Sequence, residues 1–283
     1  MYDTLAYCQA VSKLREFFYN EKGFIEVPAQ SRLSILAACE DPKTITKFNF
    51  NKDYPLPQTG QMWLEYELLK NPSLPGVFCI TTSYRNEPNP IPGRHDKIFP
   101  MFEFEAKGGI NELRKLEGEL LEFIGFDAPT LLEYTEAARR YHARELNAEH
   151  ELAMQKDISN VISLEHFPEH TSPFWNMKYS HADLYSKIDV ILYGMETIGS
   201  AERETDVELM REKFHTISDG EYANILFKAF SKERVLQELE EYLELPMIER
   251  FGGGIGMTRM ARAMKLAGLL EENSHFMEER ICA

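Results

Sequence analysis

Apolar positions near the beginning of the chain recur at steps of three and four, which is the spacing of one helical face. Between residues 4 and 20 these positions are Leu5, Cys8, Val11, Leu14, Phe17 and Phe18. Gly23 is expected to end this helix, and the apolar stretch 24–27 after it is predicted to be a strand. Further helices are predicted over the segments 61–70, 113–124, 235–243 and 257–270.

Two β-rich segments flank a loop that contains Pro88, Pro90, Pro92 and Gly93. Residues 77–84 are rich in β-forming side chains, and residues 101–105 alternate apolar and acidic side chains. The loop between them predicts that the two strands pair antiparallel. Another strand is predicted over 188–193, and 41–58 is expected to be a loop with short strands. Hairpins with helices outside predict an α+β fold, an antiparallel sheet flanked by helices.

Composition adds limits on location and size. The chain has 283 residues, of which 43% are hydrophobic, enough for one large domain or two small ones. No apolar run is long enough to span a membrane, and Met1–Thr4 has no basic leader before an apolar stretch. The four cysteines (Cys8, Cys39, Cys79 and Cys282) show no CxxC spacing and are expected to be reduced thiols. We therefore expect a cytoplasmic protein without a membrane partner.

The chain carries a net charge of −15, from 31 Lys and Arg against 46 Asp and Glu. Such a charge repels nucleic acid at long range. A local basic patch remains compatible with it, but the balance disfavours a dedicated RNA-binding module.

The segment 252–259 combines glycines with a cation. Gly252, Gly254 and Gly256 allow close approach of the backbone to a strand or a nucleotide, and the next helix offers its positive N-terminus to phosphate. The glycines alone are more typical of a turn that enters a helix. Arg259, one helical turn further on, favours an anion site because it can reach the same phosphate.

The predicted hairpin carries a second cationic cluster. Arg85 and Glu87 alternate along the chain and are expected to share one face of the strand. Arg94 and His95 lie at the end of the loop, within reach of a phosphate tail, and Phe99 is placed to stack on a base. An exposed hairpin with ordinary surface charges is the alternative, and we consider it less consistent with this pattern.

Two acids lie in apolar surroundings between residues 189 and 203. Asp189 is embedded in an apolar strand, where a carboxylate needs a partner, and Glu196 follows a glycine in the same element. The pair suits Mg²⁺ held between phosphates, or a buried salt bridge, for instance to one of the arginines above. Arg203, flanked by two acids, is on spacing alone more typical of a surface charge.

In this order the segments resemble the catalytic core of class II aminoacyl-tRNA synthetases of the aspartate, asparagine and lysine group, over about residues 14–269. Residues 23–27 match motif 1, the dimer-forming element, and Asp189 and Glu196 match the metal-binding acids. Motif 2 is matched by Arg85, Glu87, Arg94, His95, Phe99, Glu103 and Glu105, and motif 3 by Gly252, Gly254, Gly256 and Arg259. The resemblance implies ATP and Mg²⁺ as cofactors and a homodimer formed through residues 5–30.

The resemblance also implies a mechanism in which the substrate carboxylate attacks the α-phosphate of ATP. Arg85 would hold the α-phosphate and the carboxylate, and Arg259 would stabilise charge on the pyrophosphate side. Arg94 and His95 would steer the γ-phosphate, and Phe99 would stack on adenine. The residues assigned to ATP in this way are Arg85, Glu87, Arg94, His95, Phe99, Gly254, Gly256 and Arg259.

The resemblance further bears on the amino acid. The position of Arg203 is acidic in lysine enzymes, and Thr59-x-Gln61 resembles the Ser-Gly-Gln that contacts the substrate amino group in asparaginyl enzymes. Aspartyl enzymes usually have lysine at the position of Leu64 and aspartate at that of Glu103, where asparaginyl enzymes have glutamate. Because an unpaired buried charge is costly, we expect an asparagine-like amide, with Glu103 accepting from its N–H and Arg203 donating to its oxygen.

Three positions depart from the family pattern. Gln30 stands at the place of the motif 1 proline, and Ile98 replaces the acid before Phe99. Thr258 replaces the acid before the motif 3 arginine and resembles instead the sequence type of bacterial ammonia-dependent asparagine synthetase. Because the motif 1 helix begins almost at residue 1, we expect one catalytic domain over 1–283 without an anticodon-binding domain.

Four functions follow from these expectations. The first is a stand-alone ligase that forms the adenylate of an Asp/Asn-type amino acid and passes it to an unidentified acceptor. Ammonia-dependent synthesis of asparagine from aspartate is the second, and the absence of a lysine at Leu64 argues against it. A tRNA ligase is disfavoured by the acidic charge and the missing domain, unless a partner protein supplies a basic surface and that domain. A non-catalytic regulator is disfavoured because the ATP residues are complete.

Overall fold

Nine α-helices and ten strands form within residues 3–28 and 33–271, the part of the chain that this computed structural model describes. The helices are α1 (Thr4–Arg15), α2 (Gln61–Lys70), α3 (Ile110–Ile124), α4 (Tyr134–Arg140), α5 (Ala148–Asp157), α6 (Val207–Thr216), α7 (Glu221–Phe230), α8 (Lys232–Leu243) and α9 (Met257–Leu266). The strands are β1 (Ile25–Glu26), β2 (Lys47–Phe50), β3 (Lys52–Pro55), β4 (Gly76–Tyr84), β5 (Ile98–Lys107), β6 (Thr130–Glu133), β7 (Val161–Pro168), β8 (Leu184–Leu192), β9 (Met195–Glu202) and β10 (Arg250–Gly256). Gln30 and Cys282 lie outside the described residues.

One eight-stranded sheet organises the fold. Its strand order is β1-β4-β5-β10-β9-β8-β7-β6, and β2 pairs with β3 in a separate hairpin. The outermost pairs, β1 with β4 and β6 with β7, are parallel, and all pairs between them are antiparallel. The predicted α+β class with an antiparallel sheet is therefore confirmed.

Both faces of the sheet are covered by helices, and β5 shows how its sequence serves both. The alternating side chains of a strand point to opposite faces. Phe102 and Phe104 face the core that also contains Phe18, whose ring centroid lies 5.0 Å from each of theirs. Helices α1, α3 and α9 close this side. Glu103 and Glu105 face the other side, which α2, α6, α7 and α8 cover.

Most of the predicted elements are present. The helix predicted over 61–70 has those bounds, and the helix predicted over 4–20 appears as α1 followed by a π-helical turn, Glu16–Glu21. Gly23, with a φ of 67°, follows that turn as expected. The structure adds β6, β7, β9 and the helices from α4 to α7, for which the sequence pattern gave no prediction.

Arg85 and Glu87 do not lie on the strand as predicted. Strand β4 ends at Tyr84, and the proline-rich loop begins directly afterwards. The Arg85 N–H still donates to the carbonyl of Lys97 at 2.8 Å, which closes the hairpin. The two charged residues are therefore held at the mouth of the hairpin.

The glycine segment is a central strand rather than a turn that enters a helix. Strand β10 pairs with β5 on one side and with β9 on the other. A Cβ added to Gly252 would lie 1.7 Å from Glu105 Oε2, and one added to Gly253 would lie 2.6 Å from the Cβ of Ser200. Glycine is required here because side chains of the neighbouring strands occupy the space above β10.

Within residues 3–28 and 33–271, no helix combines the length and the apolar character needed to cross a bilayer. Among the described cysteines, Cys8, Cys39 and Cys79 are not joined in disulfide bonds, as the sequence predicted.

Replacing Gly253 by alanine is expected to destabilise the protein by about 1–3 kcal/mol, because the new methyl group overpacks against Ser200. Gly118→Ala is the matched control. Gly118 lies within α3 with no atom within 4 Å of an added Cβ, so alanine should stabilise by roughly 0.5–1 kcal/mol. Urea unfolding measures both changes, and equal effects of the two substitutions would contradict this account of β10.

Candidate active site

A cavity of about 280 Å³ lies where the β4–β5 hairpin, strand β10 and the start of α9 meet. We name it the arginine cavity. The sequence-predicted residues that line it are Thr59, Gln61, Arg85, Glu87, Arg94, His95, Phe99, Glu196, Gly254, Gly256 and Arg259. The structure thus brings the residues predicted to bind ATP into one place.

The start of α9 forms one wall of the arginine cavity. Gly256 caps the helix, and Thr258 and Arg259 in its first turn also line the cavity. Arg259 Nη1 donates to the carbonyl of Glu196 at 2.7 Å and lies 3.8 Å from its Oε2, which holds the guanidinium against strand β9. Guanidinium and helix N-terminus together make a site suited to an anion.

Gly254 forms part of the floor. A Cβ at this position would lie 2.8 Å from Met101 Cε and 3.2 Å from Gln61 Nε2. Because no side chain is present, a ligand can approach the backbone of β10 and the amide of Gln61 directly.

The two arginines of the hairpin have internal carboxylate partners. Arg85 forms an ion pair with Glu40, and Arg94 forms one with Glu151. Arg85 Nε is buried without a partner among the described residues, and its guanidinium lies 5.8 Å from the ring centroid of Phe99. Because Nη2 of each arginine makes the ion pair, a phosphate that binds here competes with a carboxylate for that group.

Glu40 is a site residue that the sequence did not reveal. It borders the arginine cavity and both neighbouring cavities described below. It lies in an irregular loop with no motif around it, so no sequence signal pointed to it.

A second, smaller cavity of about 30 Å³ lies behind the first, and we name it the side cavity. It shares Glu40, Thr59 and Gln61 with the arginine cavity and adds Arg203. Arg203 is 3% exposed, so its spacing-based assignment to the surface is wrong. Its Nε and Nη2 donate to Glu105 at 3.0 and 3.1 Å.

The Arg203 guanidinium is held by a buried network. Nη2 donates to Gln61 Oε1 at 2.7 Å, and Arg250 binds Glu65 at 2.7 Å on the neighbouring side. Burial opposes ionisation of Glu65, but Arg250 and Arg203 outweigh it and lower its pKa. Glu65 follows Gln61 by four residues on α2, so the helical spacing alone places both on one face.

Glu103 does not occupy the position that the sequence predicted. It is fully buried and lines neither the arginine cavity, nor the side cavity, nor the third cavity described next. Its carboxylate accepts from the Thr59 hydroxyl at 2.5 Å, from the Gly60 N–H at 2.8 Å and from the Thr81 hydroxyl. Burial raises its pKa, and the hydroxyl groups counteract that rise. Glu103 therefore orders the Thr59–Gln61 turn instead of facing a ligand.

The third cavity, of about 610 Å³, is predominantly acidic, and we name it the acidic cavity. It shares Glu40 and Glu196 with the arginine cavity. Its carboxylates are those of Glu40, Asp41, Glu145, Glu151, Asp189, Glu196 and Glu221, against the ammonium groups of Lys43 and Lys187.

Asp189 and Glu196 converge on Gly199. A Cβ at Gly199 would lie 3.2 Å from Glu196 Oε1 and 3.6 Å from Asp189 Oδ1, so the absent side chain leaves a cradle between two carboxylates. This donor set fits Mg²⁺. Lys187 Nζ already lies 2.6 and 2.7 Å from the two oxygens of Asp189. Asp189 is thus paired with this lysine, whereas Glu196 Oε2 lies 3.8 Å from Nη1 of the motif arginine Arg259, which is the salt bridge considered as the alternative.

The surroundings of Asp189 set its charge. Burial raises its pKa to about 7, Lys187 opposes that rise and Glu196 adds to it. Above that pH the carboxylate is ionised and available to a cation.

Comparison with known proteins gives a family match. The model of tRNA synthetases class II (D, K and N) matches residues 3–271. Comparison with curated proteins gave no match.

Solved structures of asparaginyl-tRNA and aspartyl-tRNA synthetases share the fold. The Pyrococcus horikoshii asparaginyl-tRNA synthetase complexed with asparaginyl-adenylate superimposes with a TM-score of 0.74 at 19% identity, over 94% of this chain and 64% of that one. The Entamoeba histolytica asparaginyl-tRNA synthetase in complex with asparaginyl-adenylate gives 0.70 at 18% identity, over 93% and 63%. The aspartyl-tRNA synthetase of that organism gives 0.65 at 17%, over 91% and 54%. This chain thus spans about two thirds or less of each.

Replacing Lys187 by methionine is expected to raise the affinity for Mn²⁺ by roughly tenfold, because the ammonium that competes for Asp189 is removed. Electron paramagnetic resonance titration without nucleotide measures binding at pH 8.5, above the pKa of about 7 of Asp189 in the wild type, and is repeated at higher pH because loss of Lys187 raises this pKa. Lys178→Met is the matched control, since Lys178 pairs with Glu204 outside the three cavities. Unchanged or weaker Mn²⁺ binding by the Lys187 variant alone would show that the lysine does not compete with metal.

Proposed function

The chain belongs to the class II tRNA synthetases (D, K and N), and from this membership we propose that it is an ATP-dependent ligase that activates an asparagine-like amino acid. The products of the proposed step are the aminoacyl-adenylate and pyrophosphate. The observation that carries the proposal is the junction of the arginine cavity with the side cavity at Glu40, Thr59 and Gln61. One cavity offers cations for a triphosphate, and the other offers a closed site for a small side chain.

In the proposed reaction a carboxylate oxygen of the amino acid forms a bond to the α-phosphorus, and the bond from that phosphorus to the pyrophosphate oxygen breaks. Arg85 holds the carboxylate and the α-phosphate, and Arg259 with the start of α9 receives the charge that develops on pyrophosphate. Phe99 supports the adenine ring. Mg²⁺, held by Asp189 and Glu196, would neutralise phosphate charge. No side-chain nucleophile is needed, because positioning and charge stabilisation suffice.

Glu40 is proposed to exchange partners when the amino acid binds. Its carboxylate pairs with Arg85 and borders all three cavities, so an ammonium group entering at the junction can take the place of the guanidinium. Arg85 then becomes available to the substrate carboxylate and the α-phosphate. The zwitterionic part of the amino acid thus inserts into an existing ion pair, and no charge is left unpaired.

A neutral side chain fits the side cavity better than a charged one. Arg203 and Arg250 face Glu65 and Glu105, and burial raises the pKa of Glu105 to about 7, against the opposing effect of Arg203. Above that pH two cations balance two anions. A third buried carboxylate would have no counter-charge, which favours asparagine over aspartate and weighs against asparagine synthesis from aspartate.

The acidic cavity is the proposed route for the acceptor. It opens onto the adenylate position through Glu40 and Glu196, and its lining has seven carboxylates against two ammonium groups. Such a lining attracts amines and repels phosphodiesters. We therefore propose ammonia or a small amine as the acceptor, whose nitrogen attacks the activated carbonyl and releases AMP.

Homodimer formation through residues 5–30 and a cytoplasmic location remain proposals. Tyr19 and Ile25, which are 57% and 41% exposed, supply apolar surface for the dimer in the described part of this segment.

Asparagine-dependent ATP–pyrophosphate exchange is the expected activity, and Arg259→Ala should lower it by about 10²–10³-fold because a charge-stabilising donor is lost. Arg211→Ala is the control, since Arg211 binds Glu208 and Glu240 on the surface. Exchange with aspartate alone would contradict the proposed substrate, and no exchange with any amino acid would favour a regulator. Addition of ammonia, amines or tRNA then identifies the acceptor by AMP release.

Glu40→Gln is expected to raise the KM for the amino acid by about 10–100-fold, because a charged hydrogen bond to the ammonium group is lost. The neighbouring Asp41→Asn serves as control. Asp41 accepts from the N–H of Lys43 at 2.9 Å, a bond that asparagine can also make. Steady-state exchange kinetics measure the effect. An amino-acid KM within about threefold of wild type for Glu40→Gln would rule out the proposed exchange of partners.

A further inference from the structure

Asn176 holds an unpartnered polar atom at the side cavity. The residue is 1% exposed, lines the cavity, and its Oδ1 is buried with no hydrogen-bond partner among the described residues. A buried acceptor without a donor is costly, so this atom indicates either a ligand or a water molecule at that point.

The hydrogen bonds of Asn176 fix which of its two polar atoms is free. Nδ2 donates to Glu65 Oε1 at 2.7 Å and lies 3.5 Å from the hydroxyl of Tyr242. An ionised carboxylate only accepts hydrogen bonds, so the atom that faces Glu65 has to be the NH₂ group. The backbone is held as well, since the Glu204 N–H donates to the Asn176 carbonyl at 2.8 Å.

Arg203 presents the complementary donor on the same cavity. Its Nε and Nη2 are engaged by Glu105 and Gln61, and Nη1 makes no hydrogen bond within the part of the chain that the structure describes. Beside the carboxylates of Glu40 and Glu65 and the amide of Gln61, the residues that line the side cavity thus supply a cationic donor, Arg203 Nη1, and an acceptor that is not yet hydrogen-bonded, Asn176 Oδ1. Its volume of about 30 Å³ has room for about two water-sized groups, which suits the oxygen and nitrogen of a primary carboxamide.

We infer that Asn176 is the residue that distinguishes a side-chain amide from a carboxylate: Oδ1 accepts from the amide NH₂, and Arg203 donates to the amide oxygen. The inference rests on the proposed function and gives Asn176 the role that the sequence assigned to Glu103. A carboxylate would place an oxygen against Oδ1, where two acceptors repel each other and no proton is available. A site built around such a hydrogen bond discriminates strongly against ligands that lack the donor.

The ligand comparison that tests this uses asparagine, aspartate and the methyl ketone analogue of asparagine, in which CH₃ replaces the side-chain NH₂. Calorimetric titration at pH 8, above the pKa of about 7 of Glu105, measures binding without chemistry. Wild type is expected to bind asparagine at least about tenfold more tightly than the ketone, since a lost hydrogen bond leaves Oδ1 unpaired. Equal binding of the two, tighter binding of aspartate, or binding of none of the three would overturn the inference.

Variants assign the discrimination to Asn176. Asn176→Leu should reduce the ratio of asparagine to ketone affinity to about threefold or less. Tyr242→Phe is the matched control, because it removes a hydroxyl that donates to Glu65 and accepts from Arg250 and, at 3.5 Å, from Asn176 Nδ2, while the Oδ1 acceptor and the Nδ2 bond to Glu65 remain. The control should lower stability and keep the wild-type ratio. A wild-type ratio in folded Asn176→Leu, or a lost ratio in Tyr242→Phe, would count against Asn176.

Exchange assays with the same proteins separate this inference from the proposed function. If the wild type does not prefer asparagine but still forms the adenylate of another amino acid, the role of Asn176 is wrong and the ligase activity stands. If the wild type binds asparagine selectively but catalyses no ATP–pyrophosphate exchange, the proposed ligase activity is wrong and the role of Asn176 stands.

Discussion

The buried ion pairs beneath the sheet are the interaction on which the site depends. Glu65 of α2 binds Arg250 of β10, and Glu105 of β5 binds Arg203 just after β9, all with at most 3% exposure. Tyr242 of α8 donates to Glu65 at 2.6 Å. Removal of one partner would leave a buried charge unpaired, at a cost of about 3–5 kcal/mol. The network therefore fixes the relative positions of three strands and two helices, and with them the guanidinium that faces the side cavity.

Internal pairing of charge extends from this network into the open part of the site. Arg85 is paired with Glu40, Arg94 with Glu151 and Asp189 with Lys187. In the proposed function a ligand exchanges partners with these ion pairs, and each charge has already lost water contacts in the folded protein before the ligand binds. Such an arrangement keeps the cations oriented before the ligand arrives and favours ligands that restore every pair.

The sequence predicted the fold well where local pattern and tertiary surroundings agree. Helix α2 has a helical pattern, and the β4–β5 hairpin has β-rich segments joined by turn residues. These signals act over short distances along the chain, and both elements are found as predicted. Strand β10 was mistaken for a turn because glycine has low strand propensity. Hydrogen bonds to β5 and β9 impose its extended form. Glycine is required at position 252 because the side chain of Glu105 occupies the space above it, and at position 253 because Ser200 does.

The sequence by itself determined which chemical groups the site contains: the arginines, the glycines that let a ligand approach, and the acids, in an order that indicates a carboxylate-activating ligase. Only the tertiary structure decided which atoms of those groups remain available. Glu103 accepts hydrogen bonds from Thr59, Gly60 and Thr81, whereas Asn176 Oδ1 has no hydrogen-bond partner in the described part of the chain. The reason is that the deciding hydrogen bonds join distant parts of the chain. Asn176 and Glu65 are 111 residues apart and Arg203 and Gln61 are 142 apart. Because a local sequence pattern spans only a few residues, it cannot predict hydrogen bonds between residues so far apart in the chain.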